Sequence, residues 1–165
     1  MNDALAERKQ ALQAIWFILS FPGNRWSSMK IVYPTKVVLA WAEAINGNKV
    51  IRDWLIGNGY PELGLFVYAL HLKQDARDWL MNSGHAHLMA LIHAAEGNRS
   101  ALLWLKKHDL DVLEKMALAA DNDDEALLWL MRNDLKDMAI VAQRMREVKN
   151  EIERRNSDLH FISWD

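Results

Sequence analysis

Apolar positions in this chain recur on two scales: at helical spacing within short segments, and at intervals of 25 residues between them. Between residues 99 and 120, Ala101, Trp104 and Leu105 follow i, i+3, i+4, and Leu113, Met116, Ala117 and Ala120 follow the same arithmetic. Each set predicts one buried face of a short helix, and strand alternation fits neither. The longer interval aligns 45–69, 70–94, 95–119 and 120–144 without gaps. Trp54, Trp79, Trp104 and Trp129 fill one column, and Leu55, Leu80, Leu105 and Leu130 the next. Ala44, Ala69, Ala94 and Ala119 stand ten residues before each Trp. Leu63, Leu88, Leu113 and Met138 follow nine residues after it, and Phe66, Leu91, Met116 and Val141 twelve after it.

Turn-forming residues punctuate every unit. Asn46-Gly47-Asn48, Glu96-Gly97-Asn98 and Asp121-Asn122-Asp123 lie between units, where Asn or Asp caps the following helix. Gly59, Gly84, Asp109 and Asp134 mark the turn within each unit, a good place for a helix to stop. Each unit is therefore predicted to be helix–turn–helix, with helices of about eight to eleven residues, too short to persist alone. Stacking on neighbours supplies what they lack, which is the logic of a solenoid. The predicted fold class is all-α: an alpha-alpha superhelix of helix–turn–helix repeats, a right-handed stack of about ten helices. The Trp column is expected to form a ladder of rings between units, and the Ala column to let helices approach closely.

Both ends depart from the repeat. Residues 3–20 predict a long amphipathic helix, followed at 21–36 by FPGNRWSSMKIVYPTK, an aromatic–basic loop with two of the three Pro. At the other end Met138, Val141, Met145, Val148 and Ile152 mark one apolar stripe on a long last helix. Its expected job is to cap the final unit, with self-association of two chains through it as the second reading. The predicted division is a single helical-repeat domain: cap helix and loop over 1–37, repeats over 38–135, cap helix and tail over 136–165.

Residues 91–105, LIHAAEGNRSALLWL, resemble an ankyrin repeat. Leu91, Ala94, Ala95, Gly97, Leu102, Leu103 and Leu105 occupy places comparable to those of its Leu-His-x-Ala-Ala, Gly-rich turn and Leu-Leu pattern. His93 falls one place later than the ankyrin His. The period is 25 rather than about 33 residues, which leaves no room for hairpin fingers, and no Thr-Pro-Leu-His motif opens the first helix. The resemblance implies protein–protein binding through equivalent positions of successive helices.

Composition narrows the function without naming it. A 165-residue chain that is half apolar and a quarter charged is globular and long enough for one sizeable core. Its formal net charge of −2 lacks the basic excess of a dedicated nucleic-acid binder. With no Cys there is no disulfide or thiolate chemistry. No run approaches 18 unbroken apolar residues, so no membrane span is expected. The apolar stretch 11–21 lacks the basic start and small-residue cleavage site of a signal peptide, which makes cytoplasm the expected location.

No catalytic motif stands out. His85, His87 and His93 invite a metal reading, but zinc needs three or four convergent ligands, and a separation of six puts His87 and His93 on different sides of a helix. Asp121, Asp123, Asp124 and Glu125 fit helix capping and the helix dipole better than acid–base work. The RDWL charges, Arg52–Asp53 and Arg77–Asp78, fit solvated surface pairs. No catalytic residue, cofactor or metal is expected. The leading expectation is a noncatalytic scaffold for an unidentified protein, with an α-solenoid hydrolase or base-excising glycosylase as the alternative class. The partner-binding candidates are Tyr68, Met89, His93 and Glu114 on the second helices, and Arg25, Trp26 and Tyr33 in the N-terminal loop.

Overall fold

The structure, a computed structural model, describes residues 33–161, the last three by backbone alone. The described residues form nine helices: α1 (Thr35–Ile45), α2 (Lys49–Gly57), α3 (Pro61–Leu70), α4 (Gln74–Asn82), α5 (Ala86–Ala95), α6 (Arg99–Lys107), α7 (Asp111–Ala120), α8 (Asp124–Arg132) and α9 (Lys136–Phe161). No strand occurs among them. The predicted helix over 3–20 and the candidates Arg25 and Trp26 lie outside the described residues.

Two columns of left-handed residues make the turns. Gly47, Leu72, Gly97 and Asn122 end α1, α3, α5 and α7 with positive φ, and Gly59, Gly84, Asp109 and Asp134 end the helices between them the same way. In the first set the following amide reaches back five residues, as from Asn98 to the His93 carbonyl at 2.9 Å. Asn48, Asn98 and Asp123 then cap the next helix, accepting from Ile51, Ala101 and Ala126 at 3.2, 3.1 and 3.0 Å. Lys73 holds the same position before α4 and makes no side-chain cap.

The helices sort into two layers. The odd-numbered helices pack on one another in succession, and each even-numbered helix sits across the two that flank it in sequence. Even-numbered helices do not touch each other. The inner layer holds two of the repeated apolar columns, and α1 belongs to it as a fifth copy. Val38 extends the column Leu63, Leu88, Leu113 and Met138, and Trp41 extends Phe66, Leu91, Met116 and Val141; all ten are buried. Trp41 meets Phe66 edge to face at 4.8 Å.

The stack closes. Helix α9 packs on α7, as its place in the series requires, and just as extensively on α1 at the other end. It also reaches α3 and α5. The five inner helices therefore form a ring around a filled core, not an open crescent. Three ties fix α9 to the preceding unit. Lys149 Nζ stands 2.8 Å from Asp121, Arg146 reaches Asp124 at 2.8 Å, and Arg146 Nε donates to the Ala119 carbonyl at 2.7 Å. Asp123 thus caps a helix as expected, while its neighbours Asp121 and Asp124 anchor the last one.

The Trp column corrects the expected ladder. The Leu column beside it is fully buried, at 0% exposure in all four copies, whereas Trp54 is 45% exposed and Trp79 and Trp129 are half-buried. Trp104 alone of the four is buried. These rings lie at the edge of the outer layer and rest on neighbours near in sequence. Trp79 stacks on His85 at 5.5 Å, Trp104 meets His108 at 4.2 Å, and Lys115 lies 5.8 Å over Trp129. Leu, not Trp, is the residue that repeats the interface.

Candidate functional site

Closure of the ring decides which surface is free. A solenoid's inner layer ordinarily lines a concave face, but here the core fills it. Among the described residues, an exposed stripe runs where inner helices end and outer helices begin. One column of the repeat, Glu43, Tyr68, His93, Leu118 and Gln143, lies along that stripe, exposed or half-buried throughout.

Tyr68 and His93 are the centre of the stripe, on adjacent helices α3 and α5. Between α3 and α4 lies a groove of about 370 Å³ lined by Leu65, Tyr68, Lys73, Asp75, Ala76 and Trp79. Its walls are apolar and aromatic, with Lys73 and Asp75 as the charged members. Tyr68 is held from the far side by Arg52, whose guanidinium carbon stands 4.4 Å from the ring centre. Trp79 is held by its stack on His85. Both rings are thus oriented before any partner arrives.

A charged cluster continues the stripe from Tyr68 towards His93. Arg77 Nε donates to the Ala69 carbonyl at 2.9 Å and its terminal nitrogens engage Glu96. His93 Nδ1 stands 3.3 Å from the same carboxylate. Burial pushes the Glu96 carboxyl up, but its hydrogen bonds with His93 and Arg77, together with their charges, outweigh that and hold it below the ordinary carboxylate range. Arg52–Asp53 forms as a surface pair, whereas Arg77 pairs with Glu96 instead of Asp78. Arg52 covers Tyr68 and pairs with Asp53 at 2.8 Å, and Arg77 bridges α4 to α5.

The other candidates lie elsewhere. Met89 is 1% exposed, which corrects its reading as a contact residue. Its column is Leu39, Gly64, Met89, Glu114 and Ala139, and at Gly64 this column meets the preceding outer helix, α2. At Gly64 an added Cβ would lie 2.4 Å from Ile56 and 3.0 Å from the Arg52 carbonyl. Glu114 shares this column, half-buried, and does not join Tyr68 and His93. Tyr33 is half-buried at the start of α1, where its hydroxyl donates to Glu62 at 2.8 Å and its ring meets Tyr60 edge on. Burial first, then the Glu62 carboxylate, raises its hydroxyl pKa well above the usual phenol value. Sequence reading missed Leu65, Arg77, Trp79 and Glu96 as site residues. The signal for Arg77 and Trp79 was the second RDWL itself, whose Trp fits the repeat and whose charges fit a solvated surface pair.

His87 sits in an inner-layer column with Val37, Glu62, Val112 and Asp137 and is 3% exposed. Burial, with a smaller contribution from His85, lowers its pKa to about 4. Among the described residues no group of three or more His, Asp or Glu side chains is placed to hold a metal ion. None of the described helices is long and apolar enough to cross a membrane. No family model matches this chain, and no curated protein or solved structure shows significant similarity to it.

Proposed function

We propose that this chain is a noncatalytic protein-binding scaffold working in the cytoplasm, and that its partner docks on the stripe running from Tyr68 to His93. The groove between Tyr68 and Trp79 carries the reading. Two aromatic rings fixed from behind by Arg52 and His85 flank an apolar slot with charges at its rim. That is the make-up of a binding hot spot: rigid aromatic anchors whose ordering cost is met before association. The slot suits one apolar side chain of a partner segment, with Lys73, Asp75 and the Arg77–Glu96 pair available to its polar flanks.

The ankyrin-like character of 91–105 supports the same use, since ankyrin-type arrays bind proteins through equivalent positions of successive repeats. His93 of that stretch belongs to the stripe, and Gly97 shapes the turn after it at φ 85°. Glu96 also speaks for binding over acid–base chemistry. Arg77 and His93 keep it ionised, whereas a general acid needs its carboxyl raised.

The test is capture of partners by wild type and by a Tyr68→Ala/Trp79→Ala/His93→Ala variant, checked for folding by circular dichroism. A photo-crosslinking residue replacing Lys73 then reports where the prey sits. Prey lost by the folded variant and crosslinked at residue 73 supports the stripe. Prey kept by the variant with no adduct at residue 73 removes it.

A further inference from the structure

Asn-Gly occurs twice in the chain, at Asn46-Gly47 and Asn58-Gly59. Asn58 has a twin three units on, since Asn133 holds the same place in the repeat. Each donates its side-chain amide to the carbonyl of the Trp four residues earlier, Asn58 to Trp54 and Asn133 to Trp129, both at 2.8 Å. Each precedes a residue of positive φ, Gly59 at 91° and Asp134 at 58°. The two turns therefore share their cap and differ in the residue that follows the Asn. A glycine there has no Cβ to hinder its own backbone nitrogen from reaching the Asn side chain.

The two Asn-Gly turns are held differently. The Gly47 amide donates to the Ala44 carbonyl at 3.1 Å, and Asn48 beyond it donates to Glu43 and caps α2. Ile45, just before that turn, is buried. The Gly59 amide finds no acceptor among the described residues. Ile56, Gly57, Asn58 and Gly59 are all exposed, and Gly57 is the last helical residue of α2. A helix end built on an exposed glycine opens at low cost.

We propose that Asn58 is a self-modification site, which the chain converts without an enzyme to a mixture of aspartate and isoaspartate. The Asn58 bond to Trp54 breaks as the end of α2 opens. The Gly59 nitrogen, its proton taken by base, then attacks the Asn58 side-chain carbonyl carbon. A new C–N bond closes a succinimide ring, and the Cγ–Nδ2 bond breaks as Nδ2 regains a proton and leaves as ammonia. Water opens the ring at either carbonyl, so the main chain runs through the original carbonyl or through the former side chain. No oxidant or reductant takes part. The product weakens its own turn, because a carboxylate cannot donate to Trp54 and its charge is opposed by the dipole at the carboxyl end of α2. Isoaspartate also lengthens the backbone just before Tyr60, whose carbonyl accepts from Leu63 at 3.1 Å as α3 begins.

The test ages the full chain at mildly alkaline pH and body temperature, then reads each Asn by peptide mass spectrometry after digestion in acid. Deamidation replaces NH by O, and electron-based fragmentation separates isoaspartate from aspartate. Asn58 is expected to convert at least about tenfold faster than Asn133, and faster than Asn46, with isoaspartate the larger product. Asp134→Gly gives the twin the same successor at a φ that glycine holds more easily than aspartate, so the fold is kept. It should bring Asn133 up towards the rate at Asn58. Equal rates at 58 and 133 in the wild type, conversion at 46 ahead of 58, or an Asn133 unmoved by Asp134→Gly overturns the proposal. So does conversion at 58 to aspartate alone, since direct hydrolysis of the amide needs no glycine.

Discussion

Lys149 on α9 holds its ammonium 2.8 Å from the carboxylate of Asp121, at the end of α7, with the lysine side chain almost wholly buried. Glu153 adds a second acid at 3.6 Å. This pair joins the last helix to the end of α7. Removing the acid alone leaves a buried cation with only its more distant partner. Asp121→Ala is expected to cost about 2 kcal/mol, and Lys149→Met, which removes the charge and keeps the stem, less than about 1 kcal/mol. Urea unfolding of the two variants measures the difference.

The Leu and Trp columns separate by burial, so their truncations should separate too. Leu80→Ala, at a site with no exposure, is expected to destabilise by about 3 kcal/mol, and Trp54→Ala, at 45% exposure, by less than about 1.5 kcal/mol. Equal losses at the two sites would restore the Trp ladder.

That comparison shows how much of the molecule was legible in the sequence. A period of 25, with turn residues at two fixed places, dictates paired short helices, and the structure has them. The period does not say which column faces the core centre. Trp draws the eye because it is rare, yet it belongs to the outer helices, while the predicted repeat region, 38–135, already takes in most of α1. Val38 and Trp41 were the available clue to its place as a fifth inner copy. Met89 varies with its column as a surface residue would, yet the column is a packed one at Gly64, close against α2, and at the buried Met89. Closure of the ring depends on a small rotation per unit accumulated over five helices, and no single column encodes it. Tyr68 and His93 were legible as a pair 25 residues apart. The groove beside Tyr68 was not, because it needs Trp79 from the next helix.

Leu72 carries a φ of 64°, a conformation that costs a branched side chain and that Gly47 and Gly97 hold freely in the equivalent turns. Its side chain is half exposed, so little packing is lost on truncation. Leu72→Gly is expected to raise stability by about 0.5–1 kcal/mol, read as an upward shift in Tm.

His87 makes the fold sensitive to acid. Its pKa lies near 4 in the folded chain and near 6.5 when unfolded, so between those values the unfolded chain binds the extra proton. Its contribution is therefore fully present above pH 6.5 and is lost as pH falls towards 4, a change of about 3 kcal/mol. His87→Leu should flatten that part of the stability profile relative to wild type. A wild-type and variant difference that stays constant from pH 7 to pH 4 would place the histidine in an environment no different from water.

The closed ring decides which surfaces can bind, and one distance tests it. Spin labels on Glu43→Cys and Gln143→Cys, two walls of the α1/α9 cleft at opposite ends of the repeat array, report the separation by pulsed electron resonance. With α9 packed on α1 the labels should lie within about 20 Å, because adjacent packed helices are about 8–10 Å apart. An open stack of five inner helices would put them at about 40 Å on the same spacing. A single short distance supports the closed ring and leaves the Tyr68–His93 stripe as the free face. A dominant population near the longer value would contradict it and return the inner face to solvent.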